Sequence, residues 1–128
     1  MTEFDVGVEW IVNAGGCDAA ALRSVESMAT LFARAIRDLS LHPVSEPHFH
    51  QFPSPGGITG FVILAESHLA CHTYPEHGVA TINLYCCRER PEWDWETNLA
   101  ELLGAAAVEV VFVRRRIAAG ETEEAIVR

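Results

Sequence analysis

At 128 residues, 49% hydrophobic and 21% charged, the chain has the size and composition of one folded domain rather than of a disordered or fibrous polymer. Eighteen acidic residues against nine basic ones give a net charge of −9, which argues against nucleic acid as a partner because phosphate binding needs a basic face. All nine basic residues are arginine, so chemistry through a lysine Schiff base, including the usual anchoring of pyridoxal phosphate, is excluded.

Phe4, Val6, Val8, Trp10 and Val12 alternate with smaller or more polar residues, the pattern of a half-buried strand. Asp18 follows the turn sequence NAGGC as a helix N-cap, and Leu22, Val25, Met28, Phe32, Ile36 and Leu39 recur at helical spacing. One amphipathic helix over residues 19–39 is predicted. Pro43 and Pro47 restrict residues 42–52 to an edge strand. After the turn PSPGG, the run ITGFVILA (58–65) reads as a buried strand, and SHLACHTY (67–74) as another. PEHG turns the chain into VATINLYCC, a further alternating strand. Pro91 breaks that strand, Asp94 caps a second helix to about Leu103, and VEVVFV closes the domain. The order β-α-β-β-β-β-α-β predicts an α+β fold: a two-layer α/β sandwich, mostly antiparallel, with two helices on one face. Arg114, Arg115 and Arg116 read as a solvated strand end.

The start MTEFDVGVEW carries no apolar signal segment, and no apolar run approaches the roughly 18 residues of a membrane span. The expectation is a cytoplasmic protein, not associated with membranes, with four reduced thiols at Cys17, Cys71, Cys86 and Cys87.

The segment AESHLACHTYPEHG (65–78) gathers a serine, three histidines, two glutamates and a cysteine. His68 and His72 are four apart and share a strand face, so a metal could use both with His77 or a cysteine. The spacing matches no strong zinc signature, and no metal is expected. A strand whose histidines are satisfied by hydrogen bonds, with Cys71 and Cys86 as small core residues, is the plain alternative.

The block ESHLACHTYPEHGVATINLYCC (66–87) closely resembles the core of the bacterial and archaeal S-adenosylmethionine decarboxylases, the small pyruvoyl-dependent enzymes of polyamine synthesis. The resemblance rests on Glu-Ser-His, a His-Thr-aromatic-Pro-Glu segment and a cysteine twenty residues after the serine. It implies that residues 1–128 form one decarboxylase domain that cuts itself between Glu66 and Ser67, into a β chain (1–66) and an α chain (67–128). The serine hydroxyl attacks the preceding carbonyl, the resulting ester eliminates, and Ser67 becomes the pyruvoyl cofactor. That ketone would take the place of pyridoxal phosphate, which the missing lysine leaves open.

By the same resemblance His72 and Thr59 assist processing, and Cys87 returns a proton to the decarboxylated carbon. Glu76 would hold ribose hydroxyls and Phe52 would stack on adenine. On a strand Cys86 and Cys87 face opposite ways, so only one reaches the site; the family register favours Cys87. The substrate implied is the small molecule S-adenosylmethionine, decarboxylated for spermidine synthesis, and the assembly a homodimer of processed αβ protomers. Departures from the family pattern are Gly7-Val8-Glu9 where a histidine is common, Thr59 for serine, Tyr74 for tryptophan, Asn83 for aspartate, Arg88 for glycine, and the PSPGG loop. The loop and Arg88 bear on substrate choice. The alternatives are a homologue acting on arginine or ornithine and a non-processing ligand-binding or regulatory relative.

Overall fold

A computed structural model describes residues 4–117 and 126–127. Its strands are β1 (Phe4–Gly15), β2 (His48–Gln51), β3 (Ile58–Leu64), β4 (Ser67–Tyr74), β5 (Val79–Cys86), β6 (Ala107–Ile117) and β7 (Ile126–Val127). They form one sheet in the order β2-β3-β4-β5-β1-β6-β7, with all paired strands antiparallel. The helices are α1 (Ala19–Leu22), α2 (Val25–Asp38) and α3 (Trp95–Leu103), and a 3-10 turn spans Pro75–His77. The α+β sandwich read from the sequence is the observed architecture.

Two details differ. The single long helix is broken at Ser24, whose backbone is extended and whose hydroxyl accepts from the Ser27 N–H at 3.1 Å. Apolar periodicity runs through this break, because Leu22 of α1 and Met28 and Leu31 of α2 face the same core; a second cap overrides it locally. The last strand extends through the three arginines to Ile117 and is joined at the edge by the two-residue β7.

Strand alternation sorts the side chains into two faces. Trp10, Val12, Val62, Leu69, Cys71, Ile82, Leu84 and Val110 point into one core with Leu22, Met28, Leu31, Phe32, Trp95 and Leu99 from the helices. A fully buried Phe32 or Leu84 contributes about 1.5–3 kcal/mol through its removal from water. Among the described residues no helix covers the opposite face, and Ile11, Phe61 and Ile63 are exposed on it. Gly7 marks where β1 leaves regular pairing. Its φ is +130° and a Cβ there would lie 2.3 Å from the Cys86 carbonyl oxygen, so only glycine fits beside the end of β5.

On the open face a polar chain crosses three strands. His68 Nε2 donates to Asn83 Oδ1 at 3.0 Å, and Asn83 Nδ2 donates to Glu9 Oε2 at 2.5 Å. Arg115 lies 3.7 Å from Glu9 and 5.1 Å from the Tyr85 ring centre, and Phe61 stacks on His68. The two departures noted in sequence, Glu9 and Asn83, are thus bonded to one another.

Candidate active site

β3 and β4 form a hairpin whose two-residue turn is Ala65-Glu66, with Leu64 opposite Ser67. Turn residues are normally solvated, yet Glu66 is only 6% exposed. Three donors account for this. His42 gives its backbone N–H to Oε1 at 3.0 Å and its ring Nδ1–H to Oε2 at 2.5 Å, while Arg90 Nη2 approaches Oε2 at 2.8 Å. Burial pushes the Glu66 carboxyl up, but its hydrogen bonds from His42 outweigh that and hold it below the usual carboxylate range. The residue is therefore a charged, clamped carboxylate.

The backbone of the same residue is also held. The Cys87 N–H, just past β5, donates to the Glu66 carbonyl oxygen at 2.8 Å, and the Ala65 N–H donates to the His42 carbonyl at 2.7 Å. Ser67 follows with φ +155°, a conformation that L residues rarely adopt. The carbonyl preceding Ser67 thus carries one N–H donor, and the serine after it is strained. A cavity of about 240 Å³ lined by Ala65, Glu66, Cys87, Arg88 and Arg90 opens beside this peptide.

The cysteine pair separates as alternation requires. Cys86 lies in the core, and burial pushes its thiol up to about 11; Cys71, also buried, is pushed up to about 12. Cys87 is exposed and lines the cavity.

The remaining candidates sit elsewhere. Thr59 and His72 are opposite one another on β3 and β4, with Oγ1 and Nδ1 3.0 Å apart. Together with Phe52, Tyr74 and Glu76 they line a second cavity of about 270 Å³. Buried Thr73 fixes this end of β4: its hydroxyl donates to the Leu22 carbonyl at 2.8 Å and accepts from the Ile58 N–H at 2.9 Å. The loop over residues 52–57 is tethered to the helices, with Arg23 Nε donating to the Pro55 carbonyl and Gln51 Nε2 to the Arg23 carbonyl.

The two groups do not meet within one chain. His72 is five residues beyond Ser67 on β4, about 17 Å along the strand. The near group is Glu66, Ser67 and Cys87; the far group is Phe52, Thr59, His72 and Glu76. Sequence proximity suggested one constellation, and strand rise divides it into two halves.

His77 and His68 lie outside both groups, and among the described residues no cluster of three or more His, Cys, Asp or Glu could hold a metal. No helix among the described residues is long and apolar enough to cross a membrane. His42 and Arg90 were not singled out by sequence reasoning. The available signal was Glu66 itself: a carboxylate at a tight turn between two apolar strands needs cationic partners if it is buried.

Residues 8–116 match the S-adenosylmethionine decarboxylase family. An S-adenosylmethionine decarboxylase proenzyme 2 of Halalkalibacterium halodurans is 39% identical over 86% of this chain and 86% of its own length. An S-adenosylmethionine decarboxylase proenzyme of Geobacillus kaustophilus is 34% identical over 94% of this chain and 95% of its own. The crystal structure of the Aquifex aeolicus adenosylmethionine decarboxylase superposes with a TM-score of 0.76 at 30% identity, covering 94% of this chain and 98% of that one. With a helix-covered antiparallel sheet and a clamped Glu-Ser hairpin, the chain belongs to the S-adenosylmethionine decarboxylase family.

Proposed function

We propose that the chain is a self-processing, pyruvoyl-dependent decarboxylase of S-adenosylmethionine that works as a two-fold dimer. The observation that carries the reading is the Glu66–Ser67 peptide, with its carbonyl oxygen held by the Cys87 N–H at 2.8 Å and Ser67 at φ +155°. Attack of Ser67 Oγ on the Glu66 carbonyl carbon moves negative charge onto that oxygen. A fixed N–H aimed there stabilises the charge as it develops, as oxyanion donors do in acyl transfer. Relief of strain at Ser67 favours leaving the starting geometry. The Glu66 clamp keeps the carbonyl in place while the amide becomes an ester.

The residues present fit a pyruvoyl group at position 67: Cα, Cβ and the carbonyl carbon of Ser67 supply its skeleton, the hydroxyl oxygen leaves with Glu66, and Cys87 lines the adjoining cavity. Once formed, that ketone supplies the electron sink for loss of CO₂, the part lysine-bound pyridoxal phosphate plays elsewhere. Cys87 Sγ, exposed into that cavity, is the proton donor to the decarboxylated carbon. Phe52 offers a half-exposed ring for an adenine, and Glu76 a carboxylate for ribose hydroxyls.

Because the halves lie at opposite ends of β4, a complete site needs two chains. Stacking two open sheet faces about an axis that crosses the strands sets the near end of one sheet over the far end of the other. It also covers Ile11, Phe61 and Ile63. Ser67 and Cys87 of one protomer are then served by the partner's His72, whose imidazole can both accept and donate a proton.

Complementation tests this. A His72→Ala chain and a Ser67→Ala chain should each remain uncut alone, while in mixed dimers the His72→Ala chain is cleaved. Cleavage of the His72→Ala chain by itself would refute the composite site. Labelled S-adenosylmethionine should release CO₂ from the wild-type protein; release from arginine or ornithine alone would overturn the substrate.

A further inference from the structure

The cavity beside the Glu66–Ser67 peptide is walled by two cations, Arg88 and Arg90. Arg90 uses Nη2 to hold the Glu66 side chain at 2.8 Å. Its Nε–H is buried and has no hydrogen-bond partner among the described residues. A buried donor without an acceptor is unfavourable, so this one points to an acceptor that arrives later in the protein's life.

Self-processing generates such an acceptor. After the acyl shift, the Glu66 acyl group is an ester on Ser67 Oγ. A base removes the Ser67 Cα proton, and that electron pair forms the Cα=Cβ double bond. The Cβ–Oγ bond breaks, and its pair leaves on oxygen as the α-carboxylate of Glu66. Water then hydrolyses the dehydroalanine and releases ammonia. Residue 66 ends with two carboxylates in one buried turn, where its side chain is already ionised and two like charges repel.

Resting on the self-processing reading, we propose that this cavity is a carboxylate-receiving site, in which Arg90 takes up the departing α-carboxylate of Glu66 and so accelerates the elimination step. The guanidinium carries donors in a fixed fork, so one can hold the side chain while another receives the new carboxylate. The Cys87 N–H already sits on one of the two oxygens that become that carboxylate. Two His42 donors also hold the Glu66 side chain, leaving Arg90 able to serve both groups.

The ester has the same mass as the precursor but is split by hydroxylamine, which leaves the amide intact. Arg90→Gln should accumulate the ester: hydroxylamine should release residues 1–66 as a hydroxamate and residues 67–128 beginning with serine. Pyruvoyl formation should slow by about 10²-fold, the usual effect of removing one preorganised donor, and Arg90→Lys should recover part of it. A Glu66→Gln/Arg90→Gln double variant removes the buried charge together with its partner, so it tests the chemistry if Arg90→Gln alone does not fold. The same ester should accumulate in it. Formation of the pyruvoyl chain at the wild-type rate would overturn the proposal. So would a folded, hydroxylamine-resistant precursor in these variants, since it would place Arg90 before the shift. A wild-type protein that stays at a single mass of 14.1 kDa would instead refute self-processing itself.

Discussion

Strain at Ser67 is measurable apart from any activity. Holding a non-glycine residue in a sparsely populated backbone region costs about 1–3 kcal/mol, and Ser67 sits at φ +155°. Glycine relieves that cost but loses about 0.5–1 kcal/mol relative to alanine through the extra freedom of the unfolded chain. Ser67→Gly should therefore be more stable than Ser67→Ala by about 0.5–2 kcal/mol. For a chain of this size that is a difference in melting temperature of about 2–8 °C. Neither variant has the hydroxyl needed for the acyl shift, so both stay uncut and the comparison is free of cleavage. Calorimetry or thermal circular dichroism at equal protein concentration measures it. Ala70, a regular β4 position, is the control, and Ala70→Gly should lower the melting temperature. If Ser67→Gly melts at or below Ser67→Ala, the peptide is not strained and strain relief does not favour the acyl shift.

The Glu66 clamp predicts an acid limb of stability. Its folded pKa lies below the unfolded value, so its contribution is full above about pH 4.3 and fades as pH falls through the folded pKa. In an uncleaved Ser67→Ala background, melting temperature should fall as pH drops below about 4.3, and adding Glu66→Gln/Arg90→Gln should flatten that fall; an unchanged slope would remove Glu66 as its source. Among the thiols, exposed Cys87 should be alkylated by iodoacetamide at pH 8 far faster than buried Cys86 and Cys71, whose thiols are pushed up to about 11 and about 12. Peptide mapping would detect the reverse order. Gly7→Ala should cost more than about 3 kcal/mol, because both the backbone and the Cys86 carbonyl must move. A variant melting within a few degrees of wild type would contradict the close approach.

Much of the fold was readable from local pattern, because strand alternation and helical spacing follow directly from which side chains reach the core. Leu69, Cys71 and Thr73 alternate against His72 and Tyr74 in the sequence as they do on β4. The break at Ser24 escaped that reading, since α1 and α2 continue a single apolar period across it. β7 escaped it as well, being two residues long and defined only by pairing with Val111 and Phe112. The Ser67, His72 and Cys87 chemistry was legible through a family pattern in the sequence. Its division into two halves was not, because spacing along a chain does not say that five strand residues amount to about 17 Å.

The sequence by itself determined the alternating strands, the capped helices, the absence of lysine and the Glu-Ser step on which the chemistry turns. Each is a property of neighbouring residues or of composition. Only the tertiary structure decided that Glu66 is buried, that His42 from the segment before β2 and Arg90 from beyond β5 pair with it, and that the Cys87 N–H rests on its carbonyl. Those contacts join residues 21 to 24 positions apart, and they exist only because the packed sheet brings three loops to one end of the domain.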